Sequence, residues 1–154
     1  MNLYAIVSAT SIERGVLMST AIRYFTKSKK GNTEKLASAI AKATGLKAQD
    51  VSHDLNAKVD RLFLVNAMYA ANIDSEVKSF LSRNKDKIGE VVNFSTSCSG
   101  KSTYSMVKRE TDSLGVKLSD REFHCAASWI FINKGLPTQD DFNRAGEFAK
   151  SMMV

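Results

Sequence analysis

Cysteine, proline and tryptophan are nearly absent from this chain of 154 residues, which holds two, one and one of them. Two cysteines, Cys98 and Cys125, are too few and too far apart for a disulfide scaffold or a cysteine-rich zinc site, and buried free thiols are expected. The single proline and the lack of repeats or biased tracts leave no room for a proline-rich linker. No apolar run approaches the roughly 20 residues of a membrane-spanning helix, so no membrane partner is expected. Met1 to Leu17 reads poorly as a secretory signal, because its apolar stretch precedes its only arginine and it contains Glu13, and a cytoplasmic protein is expected. Acidic residues are the scarcer charge, 16 against 22 Lys plus Arg, for a net charge of +6. The basic residues are spread along the chain except for Lys27, Lys29 and Lys30, and no aromatics interleave with that cluster, which argues against a nucleic-acid partner. His53 and His124 are isolated in sequence, so no metal site is expected.

What is present is an ordinary globular composition, 44% hydrophobic and 25% charged, in a length that suits one core. Strand-length apolar runs alternate with helical periods, the pattern of a parallel sheet with helices on both faces. The strands are expected at Ala21 to Phe25, Lys47 to Val51, Arg61 to Asn66, Val91 to Phe94, and from Val116 onward with a resumption at Phe123 to Ala126. Leu62-Phe63-Leu64-Val65 does not alternate, which suits a strand buried on both faces. Leu36, Ala37, Ile40 and Ala41 recur at helical spacing and stop at Gly45. Val77, Phe80 and Leu81 follow the candidate cap Asp74, while Val107, Thr111 and Leu114 end at Gly115. Thr138 with Asp141 opens the last stripe, Phe142, Ala145, Phe148, Ala149 and Met152. Residues 1–19 stand outside the alternation and read as an extension, with Met18 a possible natural start and Leu3 to Val7 a possible edge strand.

Between the first strand and the first helix lies Thr26-Lys27-Ser28-Lys29-Lys30-Gly31-Asn32-Thr33. A phosphate at a helix start meets unpaired N–H groups and the positive end of the helix dipole. Gly31 lets the backbone approach, Thr26, Ser28 and Thr33 offer hydroxyls, Asn32 offers an amide, and Lys29 and Lys30 are either solvated or add attraction.

With Gly31-Asn32-Thr33-Glu34-Lys35-Leu36-Ala37 after a hydrophobic strand, and Asn133-Lys134-Gly135-Leu136-Pro137 with Asp141 and Phe148-Ala149 near the end, the chain resembles the flavodoxin family over residues 20–154. The resemblance implies a three-layer α/β fold, with a five-stranded parallel sheet of order 2-1-3-4-5 and FMN at the switch point. It implies that Thr26, Ser28, Lys29, Lys30, Gly31, Asn32 and Thr33 surround the phosphate, with either Thr26 or Ser28 making the first hydroxyl contact. Ala67, Met68, Tyr69, Ala70 and Asn72 would approach one edge of the flavin ring, and Thr96, Ser97, Cys98, Ser99 and Gly100 the other. Tyr69 is the candidate ring partner, and a backbone carbonyl in residues 67–71 would accept a hydrogen bond from flavin N5. Cys98 is expected to be a small packed side chain, and Trp129 to pack in the core or meet a partner rather than shield the ring.

The function implied is FMN-dependent electron transfer between redox partner proteins by a monomer or weak dimer, with no catalytic side chain required. Alternatives are an FMN-dependent reductase with its own small substrate, and a flavin-free interaction module. A further one is a P-loop-like nucleotide site at residues 95–102, Ser95-Thr96-Ser97-Cys98-Ser99-Gly100-Lys101-Ser102. That last reading lacks the first glycine, replaced by Ser95, and an acidic strand end, since Leu62 to Val65 runs into Asn66.

Overall fold

Leu62, Phe63, Leu64 and Val65 are all fully buried, because consecutive side chains of this strand meet opposite helix layers. The computed structural model describes residues 18–27, 31–129 and 132–154. The possible edge strand Leu3 to Val7 lies outside them, as do Ser28, Lys29 and Lys30; of the expected extension only Met18 and Ser19 are described.

The elements run β1 (Thr20–Tyr24), α1 (Asn32–Thr44), β2 (Ala48–Asp50), β3 (Val59–Ala67), α2 (Ser75–Asn84), β4 (Ile88–Ser97), α3 (Tyr104–Leu114), β5 (Lys117–Leu118), β6 (Phe123–Ala126) and α4 (Gln139–Ser151), with a short 3₁₀ turn at Lys85–Lys87. The sheet order is β2-β1-β3-β4-β5, every pairing is parallel, and β6 also pairs with β4. The expected order is therefore observed, with six strands where five were expected. The sixth arises because the fifth position is split: β5 pairs at Glu90 and Val91, and β6 takes over from Phe94 to Ser97. Strands β3 and β4 extend beyond their expected limits at both ends, so Thr96 and Ser97 belong to β4 and not to the loop after it.

Side-chain parity divides the core. Ile22, Phe63, Val65, Val92 and Phe94 pack against Leu36 and Ile40 of α1 and Ala145 and Ala149 of α4. Leu62, Leu64 and Val91 pack against Val77, Phe80 and Leu81 of α2 and Val107 of α3. Helix α4 comes close to α1 at Gly146, where an added Cβ would lie 2.7 Å from that of Ala43. The expected C-caps Gly45 and Gly115 adopt φ of 75° and 70°, the left-handed turn that glycine enters without penalty. Among the described residues no helix is long and apolar enough to cross a membrane.

Candidate functional site

The chain leaves β1 toward one side of the sheet and β3 toward the other, so the loops at their carboxyl ends part and leave a crevice. Of the residues singled out from the sequence, Thr26, Asn32, Thr33, Ala67, Met68, Tyr69, Ala70, Thr96, Ser97 and Cys98 line a cleft there of about 490 Å³. Gly31, Asn72, Ser99 and Gly100 belong to the same segments without forming the wall. Lys27, Ala127, Ser128 and Trp129 complete it.

Helix α1 begins at the floor of this cleft. Its N-cap, Gly31, is extended at φ −70° and ψ 169° and has no side-chain acceptor to offer the first turn. The neighbouring side chains bridge loops: Thr33 Oγ1, buried, is 3.1 Å from Thr96 Oγ1, and the Asn32 amide donates to Ser128 O at 3.2 Å and Ser128 Oγ at 3.0 Å. Hydroxyls and an amide from three segments are thus gathered where the helix dipole is positive.

The loop after β3 is a tight turn. Tyr69 and Asn72 exchange backbone hydrogen bonds of 2.7 and 2.9 Å, and the two central residues, Ala70 and Ala71, have φ of 49° and 59°. Positive φ at both centres is the signature of a type I′ turn, and for alanine each costs on the order of 1 kcal/mol. No glycine or central asparagine announces this turn in the sequence. The Tyr69 ring stands edge-on to Phe25 at 6.4 Å. The backbone N–H of Lys27 donates to Tyr69 Oη at 3.3 Å, and the Lys27 ammonium lies 4.5 Å from the ring centroid and 3.6 Å from Asp74. Lys27, read from the sequence only as part of a basic cluster, therefore fixes the aromatic wall.

Two expectations are corrected on the opposite wall. Cys98 is exposed rather than packed, because it sits in the turn that closes with Gly100 N–H donating to Ser97 O at 3.3 Å. Cys125, by contrast, is buried as expected, and burial pushes its thiol up to about 11. Trp129 is 59% exposed, so of its two expected roles core packing is excluded and partner contact stays open. Its backbone pairs with that of Ile132 through hydrogen bonds of 3.0 and 2.8 Å, and β6 ends at Ala126. The Asn133 amide donates to the Cys98 carbonyl and joins this turn to the loop after β4.

Behind β3 and β4 lies a buried polar network that the sequence did not suggest. Asn66 Nδ2 donates to Asn93 Oδ1 at 2.8 Å, Thr103 Oγ1 to Asn66 Oδ1 at 2.6 Å, and Asn93 Nδ2 to Thr103 Oγ1 at 3.1 Å. Thr103 N–H donates to Ser95 Oγ at 3.2 Å. The network fixes where both strands release their loops. The nucleotide-loop reading of residues 95–102 is not favoured: Ser95 to Ser97 are strand, Ser97 Oγ donates to Lys101 O at 2.7 Å, and α3 starts only at Tyr104. His53 and His124 are exposed, beside Asp50 at 3.5 Å and Gly100 O at 3.0 Å respectively.

No protein-family model matches the sequence, and no curated protein matches it. Solved structures do. Oxidised flavodoxin 1 from Bacillus cereus superposes with a TM-score of 0.60 at 16% identity, covering 86% of this chain and 95% of its own. The fold is that of the flavodoxins. A Lactobacillus acidophilus flavoprotein solved in complex with FMN is similar at a TM-score of 0.57 and 15% identity, over 71% of this chain and 93% of that one. A flavodiiron core from Synechocystis is similar at 0.60 and 14%, over 92% of this chain but 38% of that one, so the same fold also serves as part of a larger protein. The cleft is lined by the first residues of α1, Asn32 and Thr33, and by the aromatic side chains Tyr69 and Trp129. Its volume is in the range of small-molecule sites, about 300–1,000 Å³.

Proposed function

We propose that this protein binds FMN noncovalently in the β1/β3 cleft and carries electrons between redox proteins of the cytoplasm. The observation that supports this reading most is the start of α1, a helix N-terminus without its own side-chain acceptor, set at the switch point and facing aromatic side chains across one cleft. The first-turn N–H groups of α1, the Thr26 and Thr33 hydroxyls and the Asn32 amide would hold the phosphate, with Ser28, Lys29 and Lys30 in the same segment. Tyr69, Met68 and Trp129 would enclose the ring and exclude water from its faces, and the backbone of residues 67–71 would meet its N5 edge. When bound, FMN supplies reversible electron transfer.

Among the described residues that line the cleft, only Lys27, Tyr69 and Cys98 are ionisable, and no carboxylate or imidazole faces it. That composition favours a carrier over a reductase, which needs groups that move protons to a substrate. The test is a titration of the purified protein with FMN, followed in the visible spectrum and by quenching of Trp129. A colourless protein without measurable FMN affinity overturns the proposal, and rapid reduction of the bound flavin by NADH alone replaces the carrier with a reductase. Asn32→Ala with Thr33→Ala is expected to weaken FMN by about 10- to 100-fold through lost charged hydrogen bonds and to change riboflavin much less. Equal losses for the two ligands would show that α1 does not hold a phosphate.

A further inference from the structure

Toward α2 and α3, the inward positions of β3 and β4 are apolar at Leu62, Leu64 and Val91. The same alternation then sets Asn66 and Asn93 on that face, nearer the cleft, and both are fully buried together with Thr103, the residue before α3. Their side chains close a ring of three hydrogen bonds that runs one way round. Asn66 Nδ2 donates to Asn93 Oδ1, Asn93 Nδ2 to Thr103 Oγ1, and Thr103 Oγ1 to Asn66 Oδ1. Each member gives one hydrogen to the ring and takes one, so the bonds polarise one another, and removing any member breaks two of the three.

Stability alone does not call for such a ring. A neutral hydrogen bond made inside the protein replaces one made to water and gains little, whereas apolar side chains of the same shape gain by burial. The position of the ring is more telling. Asn66 is followed directly by Ala67 and Met68 of one cleft wall, and the Met68 N–H donates to Thr96 O at 3.1 Å. Thr103 ends the loop that begins at Cys98 on the opposite wall, and its N–H donates to Ser95 Oγ at 3.2 Å. We infer that the Asn66–Asn93–Thr103 ring is a positioning device that holds the loops after β3 and β4 at one spacing, so that the cleft is set before a ligand enters. Hydrogen bonds are directional and fix register, which an apolar contact leaves free to slide. That the ligand is FMN rests on the carrier reading; the fastening of the loops is a property of the ligand-free chain.

The test replaces the ring by its apolar shape. In the full chain, Asn66→Leu with Asn93→Leu and Thr103→Val is expected to keep a urea midpoint at or above the wild-type value. Without ligand, the amides of Met68 and Gly100 are expected to exchange with deuterium at least about tenfold faster, while those of Leu64 and Val92 in the strand centres keep their rates. FMN affinity is expected to fall about tenfold, the cost of ordering one further residue on binding. Unchanged exchange at Met68 and Gly100 overturns the proposal, as does unchanged affinity where the wild type binds FMN. So does a fall in the urea midpoint with faster exchange at all four amides, which would make the ring a support of the whole fold. Single substitutions at Thr103 decide the matter even if the triple variant fails to fold. Thr103→Ser retains the hydroxyl and is expected to retain slow exchange and affinity, whereas the isosteric Thr103→Val loses both. Equal losses in the two would show that shape and not the hydroxyl matters, and overturn the proposal. A wild type that binds no FMN, with exchange in the variants changed as expected, overturns the carrier reading and leaves the ring as the fastening between the two loops.

Discussion

Two helix starts in this molecule solve the same problem in opposite ways. Helix α4 is capped by its own residues: Thr138 accepts from the Asp141 N–H, and the Asp141 carboxylate accepts from the Thr138 N–H at 2.8 Å. Helix α1 opens at Gly31 with no side-chain acceptor, while Asn32 and Thr33 reach instead to Ser128 and Thr96 on other loops. Unmet N–H groups at a helix start destabilise it, by an amount that a good cap recovers at about 1 kcal/mol. A helix whose N-cap residue brings no side-chain acceptor, in a cleft and beside a sister helix that caps itself, is the start that an external anion would complete. The capped start teaches what structure alone requires, and the uncapped one what is left for a ligand.

The strongest way to break this contrast is to give α1 a cap of its own. At the extended backbone of Gly31 an aspartate is accommodated without a positive φ. Gly31→Asp is expected to stabilise the ligand-free protein by about 0.5 kcal/mol in urea unfolding. It should cut FMN affinity by about 100-fold or more, since a carboxylate then occupies the anion's place. An unchanged affinity would mean that the start of α1 is not the phosphate site. The reciprocal change is smaller and falls on stability: Thr138→Ala is expected to cost about 1 kcal/mol while FMN affinity stays at the wild-type value. If Thr138→Ala weakened FMN as strongly as Asn32→Ala with Thr33→Ala, the two helix starts would not be functionally distinct.

Both helix starts were legible in the sequence because capping is local chemistry. Thr138 and Asp141 stand at the capping-box spacing, and Gly31-Asn32-Thr33 is a turn of small donors after an apolar strand. The parallel sheet with helices on both faces followed from the alternation and from the consecutive apolar run in β3, whereas the strand order came only with the resemblance to the flavodoxins. The split of the last strand showed as two short apolar pieces, Val116 onward and Phe123 to Ala126. The ring end of the cleft was less legible, since it depends on side-chain direction and long-range fastening. Trp129 sits in an unbroken apolar run that reads as core, and only its pairing with Ile132 turns it outward. Lys27 read only as one of three clustered lysines until its ammonium was found beside Tyr69 and Asp74. The turn at Ala70 and Ala71 defies its own residue preferences, and the Asn66, Asn93 and Thr103 network joins residues far apart in the chain.

The two thiols sharpen the location of the ligand. Cys98 is exposed on the cleft wall, whereas Cys125 lies in the core between β4 and α4 with its thiol raised to about 11. A disulfide reagent such as 5,5′-dithiobis(2-nitrobenzoate) is expected to label Cys98 promptly in the native protein and Cys125 only on unfolding, because the thiolate is the reacting form. FMN should slow labelling of Cys98. If saturating FMN leaves that rate unchanged, the ring does not lie against the wall after β4.

The smallest effect separates the helix starts by pH. Burial pushes the Asp141 carboxyl upward, but the Thr138 N–H and hydroxyl and the Arg144 guanidinium outweigh it and hold the group below its ordinary range. A carboxyl depressed in the folded state contributes stability that is complete above its unfolded value of about 3.9 and is lost as pH falls through the folded value. The α4 cap therefore weakens only in acid, whereas Gly31 brings no ionisable cap to α1. Asp50 and Asp54 are also depressed and titrate in the same acid region, so the raw acid slope belongs to several groups. The difference between wild type and Asp141→Asn isolates one of them. Urea midpoints are expected to fall less steeply below about pH 4 in Asp141→Asn than in wild type, from a lower starting stability. Parallel curves would mean that Thr138 caps α4 without its carboxylate partner, and the contrast with α1 would then rest on one hydroxyl.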